Sequence, residues 1–211
     1  KSETGGNTNP GSGTTPSASD GSAAATSQNS TASTATPPAW KGPLIPVTGF
    51  APDRVTNLPL QTVEYSELGD LWLEIPSMKV EIPIVEVPKA DGQWDVTWLN
   101  NQAGWLEGSA FPTFKGNSVL TAHVWDAYNR AGPFYGLGEL KFDDQIIVHA
   151  WGDEYVYAVR EIKRVNPDNL NAMLKHQDTS WLTLVTCQGY DEESGTYSKR
   201  VLVRAVLVEI R

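Results

Sequence analysis

Among its 211 residues the chain has a single cysteine, Cys187, three scattered histidines and no apolar run of the ~18 residues that a membrane-spanning helix needs. One cysteine excludes an intrachain disulfide. With His123, His149 and His176 far apart in sequence, a cysteine-rich structural zinc site is excluded too, and neither a metal nor a cofactor is expected. Basic charge is also scarce: 16 Lys and Arg stand against 25 Asp and Glu, a net charge of −9, with no Lys/Arg block. Binding a phosphate backbone rests on neutralising its charge, so nucleic acid is excluded as a partner. The acidic excess favours a soluble monomer.

Large apolar and aromatic residues are missing altogether from positions 1–39, where 32 residues are Ser, Thr, Gly, Ala or Pro. Such a segment has nothing to bury and cannot offset the entropy of ordering its backbone. It reads as a disordered stalk holding a domain off a membrane, or as an inert extension. No initiator Met and no apolar stretch of signal type are found, so a removed signal or anchor, or a trimmed start, is expected before Lys1. Membrane attachment is then expected only through an anchor outside this sequence. The chain divides into the stalk at 1–39, an extended linker or lid at 40–69, and a domain at 70–211 long enough for one well-buried core.

In the linker, Pro43, Pro46, Gly49, Pro52 and Pro59 interrupt every regular element. Beyond it, β-branched and aromatic residues predict strands over 71–75, 79–87, 117–122, 145–151, 155–164, 181–187 and 200–210. Pro76-Ser77 predicts a turn, Pro83 an edge strand or bulge, and Asp153-Glu154 a tight hairpin. Trp72, Trp151 and Trp181 read as core. A helix is predicted from an Asn166 N-cap with Pro167 at its first position and Asp168 facing the dipole, burying Leu170, Met173 and Leu174. A second short helix or loop is expected in 126–140. Many short strands with one or two helices predict a mostly-β closed barrel in preference to a sandwich.

Three positions carry chemistry together. Thr183-Leu184-Val185-Thr186-Cys187 delivers the only thiol at a strand end, before the polar loop 188–199. Taken alone, that thiol is a buried small apolar side chain, an incidental group or a nucleophile. The strand at 117–122 likewise delivers His123 at its exit, and Arg200 opens the last strand, 13 residues after Cys187, where a returning loop would set it beside the thiol. An imidazole can take a proton from the thiol and return it to a leaving amine. A guanidinium can stabilise an oxyanion or hold a peptide backbone.

These motifs resemble the signatures of the sortases: Thr183 to Cys187 as TLVTC, Thr121-Ala122-His123, and Lys199-Arg200-Val201-Leu202-Val203. The run at 71–85 is similar to the family's first two strands, and the likeness spans about 70–211. What the resemblance implies is an eight-stranded β-barrel cysteine transpeptidase on the extracellular face of a bacterial membrane. Such an enzyme cleaves a Leu-Pro-x-Thr-Gly sorting signal of secreted surface proteins between Thr and Gly, holds the Thr as a thioester, and passes it to an amine of cell wall or pilin. Carried over, Cys187 is the nucleophile, His123 the general acid/base and Arg200 the oxyanion or substrate stabiliser, with Leu184, Val185 and Thr186 as contacts to the peptide. The segment 160–180 would line the pocket for its apolar-Pro part. The 94–105 stretch looks more like the housekeeping or monomeric types than the pilin-assembling ones. Asp143-Asp144 departs from the family's Gly-Asp, and Arg204, on the same strand face, competes with Arg200 for the role.

Ile45-Pro46-Val47-Thr48-Gly49, in the linker, has the form of a sorting motif with Ile in place of Leu. It reads as a built-in pseudosubstrate or lid, or as a chance match in a Pro/Gly-containing linker. Two other readings of the whole chain remain: an exported cysteine peptidase that only hydrolyses, and a catalytically idle surface domain that binds peptide or glycan.

Overall fold

The computed structural model describes residues 44–211; the stalk expected at 1–39, and positions 40–43 of the linker, lie outside them. Eight strands close into a barrel: β1 (Ser66–Ile75), β2 (Val80–Val87), β5 (Ala103–Leu106), β6 (Gly116–Thr121), β7 (Gln145–Ala150), β8 (Asp153–Val165), β9 (Ser180–Asp191) and β10 (Thr196–Ile210). Their order around the barrel is β1-β2-β5-β6-β9-β10-β8-β7, while the two-residue strands β3 (Lys89–Ala90) and β4 (Gln93–Trp94) pair apart from it. The only α-helix among the described residues is the single turn α1 (Leu170–Met173), so the expected mostly-β closed barrel is the fold observed.

Alternation along the strands sorts side chains into two apolar clusters. Leu73, Ile84, Leu120, Val148, Tyr157, Leu184 and Val203 belong to the main cluster, to which all eight barrel strands contribute. Their neighbours Val85, Val119, Val185 and Leu202 face the other way and join Val96, Leu99, Val165 and Met173 in a second cluster outside the barrel wall. That outer cluster forms the floor of the site.

Several local expectations are corrected. β2 is paired on both sides and is no edge strand; Pro83 sits where its pairing with β1 becomes irregular, which satisfies the bulge alternative. The β7–β8 hairpin turns at Trp151-Gly152, both at positive φ, and Asp153 already pairs with Ala150. Trp151 is therefore exposed, and Trp72 and Trp181 are only partly covered, Trp72 by stacking on His149 at 3.4 Å. The helix is capped by Asn169, whose side chain accepts from the Ala172 N–H, and the Pro167 carbonyl before it accepts from the Ile45 N–H at 2.8 Å. Asp143 adopts φ 70°, the left-handed conformation that a glycine takes without strain.

Candidate active site

β9 and β10 are adjacent antiparallel strands in which Cys187 lies directly opposite Arg200. Strand alternation aims both away from the main core and onto the outer cluster, through the same face as Val185 and Leu202. His123 follows β6, whose parallel neighbour is β9, so all three predicted groups converge at one end of three consecutive strands. Arg204 lies opposite Thr183, pairs with Glu161 at 3.2 Å and stands over the Trp181 ring. These contacts lie away from residues 45–49, whereas Arg200 reaches the Ile45 and Pro46 carbonyls.

The groove between these groups is filled by the chain itself. The Ile45 side chain is fully buried in the outer cluster with Val96, Leu99, Val165, Met173, Val185 and Leu202. Arg200 donates from Nε to the Pro46 carbonyl at 2.9 Å and from Nη2 to the Ile45 carbonyl at 3.4 Å. Val47 points outward and is 58% exposed. Thr48 is fully buried: its N–H donates to Cys187 Sγ at 3.1 Å, its hydroxyl to Thr186 Oγ1 at 3.4 Å, and its carbonyl accepts the Val124 N–H at 2.8 Å. Thr186 in turn donates to the Ala122 carbonyl at 2.9 Å. Gly49 admits no side chain, since a Cβ there would lie 2.5 Å from Val124 Cγ1. Phe50 then covers His123, ring centroids 5.2 Å apart, with its carbonyl accepting from the Tyr197 hydroxyl at 2.7 Å.

Burial sets the charge state. It pushes the Cys187 thiol above its ordinary pKa, against the pull of the Arg200 guanidinium and the Thr48 N–H. It holds His123 below the ordinary imidazole value, opposed by the nearby Thr97 backbone and the Asp126 carboxylate. Neither ring nitrogen of His123 has a hydrogen-bond partner. With 45–49 in place the pair is thus neutral thiol and neutral imidazole. A cavity of about 330 Å³ is lined by Trp125, Gln188, Tyr190 and Tyr197 and in part by Cys187.

Of the positions read as peptide contacts, Thr186 bonds the Thr48 hydroxyl and Val185 shares Ile45's cluster, but Leu184 belongs to the main core and touches the strand interior instead. Two contributors carry no motif: the Val124 N–H, and the irregular stretch holding Val96 and Leu99. Adjacency to His123 is the only sequence signal for the first. Gly132 supports the His123 turn, because a Cβ there would meet the His123 carbonyl oxygen at 2.2 Å.

Comparison with known proteins agrees with this geometry. Residues 73–208 match the family model described as the sortase domain. The chain is 28% identical to Sortase D of Bacillus subtilis over 131 residues, 62% of this chain and 60% of that protein, so it spans well under the full length of that relative. Among solved structures, sortase C of Clostridium perfringens SM101 is 30% identical with a TM-score of 0.51, covering 67% of this chain and 71% of that one. Sortase A of Corynebacterium diphtheriae is 28% identical with a TM-score of 0.57, covering 70% and 63%. Relatives named sortase A, C and D match at similar levels, and the likeness favours no one class, including the housekeeping type expected from the 94–105 stretch. With the matched region covering most of the barrel, and Cys187, His123 and Arg200 meeting at one groove, the chain belongs to the sortase family.

Proposed function

We propose that this chain is a cysteine transpeptidase that cleaves an Ile- or Leu-Pro-x-Thr-Gly sorting signal between Thr and Gly and transfers the acyl part to an amine. The observation that carries the reading is the fit of 45–49: an apolar side chain in a closed pocket, two carbonyls on Arg200, an outward third residue, a buried Thr against the thiol, and a Gly without room for a methyl. The segment acts as an internal stand-in for the peptide and closes the groove as a lid.

In this reading His123 takes the proton of Cys187 as sulfur attacks the Thr carbonyl, and returns it to the departing glycine nitrogen. Arg200, bonded to the two carbonyls upstream, positions the peptide. The Val124 N–H, already on the corresponding carbonyl oxygen, is the donor aimed at the developing oxyanion. The acceptor amine enters through the cavity beside Gln188 and Tyr197. The family's general place at the cell surface supports a reading in which the enzyme works on the extracellular face, with secreted proteins as donors and cell wall or pilin as acceptor.

Fluorogenic Ile-Pro-Val-Thr-Gly and Leu-Pro-x-Thr-Gly peptides test this with and without a glycine-bearing amine, using a Gly49→Ala chain, in which the added methyl is expected to displace the lid. Amine-dependent ligation at Thr is the expected product. Hydrolysis alone, unchanged by amine, would assign a peptidase; no turnover and slow thiol alkylation would assign an idle binding domain.

A further inference from the structure

In this chain the residues seated at the thiol are covalently part of the enzyme. We infer that the Thr48–Gly49 peptide bond is a substrate of Cys187 in cis: the enzyme acylates itself with its own residues 1–48, and an external amine can then carry that segment away. The inference rests on the transpeptidase reading above and adds an activity to it.

The segment is held as a reactant on both sides of the bond. Upstream, Ile45 is fully buried and Arg200 grips the carbonyls of Ile45 and Pro46. At the bond, the Thr48 N–H reaches Cys187 Sγ at 3.1 Å, and the Thr48 carbonyl, the group to be attacked, already receives the Val124 N–H at 2.8 Å. Downstream, the Phe50 N–H donates to the Trp125 carbonyl at 3.1 Å and the Phe50 carbonyl accepts from Tyr197. A cavity lined in part by Cys187, Gln188 and Tyr190 lies next to the strand that carries the nucleophile.

The steps balance without any further reactant until release. Cys187 Sγ attacks the Thr48 carbonyl carbon and its proton passes to His123. The Thr48–Gly49 C–N bond breaks, and His123 gives that proton to the Gly49 nitrogen. A thioester joins Thr48 to Cys187, and a free amine begins the chain at Gly49. Because the contacts of Phe50 keep that amine beside the thioester, its return is intramolecular, where effective concentrations reach about 10⁵ M or more. The intact chain is therefore the dominant form. Net cleavage occurs when an amine enters by the cavity, attacks the thioester carbon and restores the thiol.

The test uses the full chain incubated with hydroxylamine and, separately, with triglycine, followed by intact-mass measurement. The expected products are a fragment of residues 49–211 starting at Gly49, and residues 1–48 bearing a hydroxamate or triglycine at Thr48. Their yield should be at least tenfold above that of Cys187→Ala. In parallel, the Gly49→Ala chain receives an Ile-Pro-Val-Thr-Gly peptide and the same amines. If it processes the added peptide while the full chain stays uncut, self-processing is overturned and the transpeptidase reading stands. If neither reacts, both are overturned. Cleavage that persists in Cys187→Ala overturns the inference as well, since the bond is then opened by something other than the thiol.

Discussion

Arg200 faces Cys187 directly across the β9–β10 ladder, and its guanidinium is spent on the carbonyls of Ile45 and Pro46, not on the carbonyl of Thr48. The oxygen nearest the reacting position takes the Val124 N–H instead. In the proposed reaction this geometry separates two duties that sequence leaves combined in one arginine: the side chain would grip the peptide backbone upstream, and a main-chain donor would serve the Thr carbonyl.

Arg200→Met should therefore lower kcat/KM for added peptide, measured in the Gly49→Ala background, by about 10- to 100-fold, the range for losing charged hydrogen bonds. Arg200→Lys should recover little of it, because one ammonium cannot reproduce the two-carbonyl fork. Arg204→Met should leave kcat/KM within about twofold, since its partner is Glu161 on the far side of the ladder.

Gly49→Ala should open the site. A methyl 2.5 Å from Val124 Cγ1 and 3.2 Å from the Tyr197 ring forces a shift of the segment or of those side chains, and the tight packing around Thr48 favours movement of the segment. Cys187, 1% exposed with the segment in place, should then react with iodoacetamide at least tenfold faster than in the unaltered chain. Equal rates in the two proteins would contradict a groove closed by 45–49.

The buried neutral pair gives the closed structure a pH window. His123 has a lowered pKa in the fold, so its contribution is complete above the unfolded value of 6.5 and is lost as pH falls below it. Cys187 has a raised pKa, so its contribution is complete below the unfolded value of 9.0 and is lost as pH rises past it. Thermal midpoints should be highest between these limits and decline on both sides. The alkaline decline should shrink in Cys187→Ala, and the acid decline down to about pH 5 should shrink in His123→Asn.

Asp143 offers a test of the turn before β7. At φ 70°, Asp143→Gly should hold stability within about 0.5 kcal/mol, relief of the backbone offsetting the lost pairing with Arg160. Asp143→Val should destabilise the fold by about 1–2 kcal/mol in denaturant titration, because a β-branched residue resists that conformation.

The site was legible where side chains carry the chemistry at strand ends. Alternation along 183–187 and 200–204, with a loop between, is enough to pair Cys187 with Arg200, whereas the five residues 45–49 alone leave a chance match in a Pro/Gly-containing linker open. Alternation also separates Leu184 from Val185, so grouping both as peptide contacts overlooked a signal that was present. Other parts carried no signal. A main-chain N–H such as that of Val124 has no residue preference, and Val96 and Leu99 lie in an irregular stretch without periodicity. The hairpin at Trp151-Gly152 was displaced to Asp153-Glu154 because tryptophan is a poor indicator of a turn. The helix is capped at Asn169 and not at Asn166, and the Pro167 carbonyl between them accepts from the distant Ile45 N–H, a contact with no local signal.

The most direct test of the central claim is the mass of Cys187 itself. The Gly49→Ala chain, mixed with an Ile-Pro-Val-Thr-Gly peptide and quenched in acid, should show an added Ile-Pro-Val-Thr acyl group on Cys187 that disappears when triglycine is supplied. An unmodified Cys187 under those conditions, with the thiol demonstrably open to alkylation, would contradict the account.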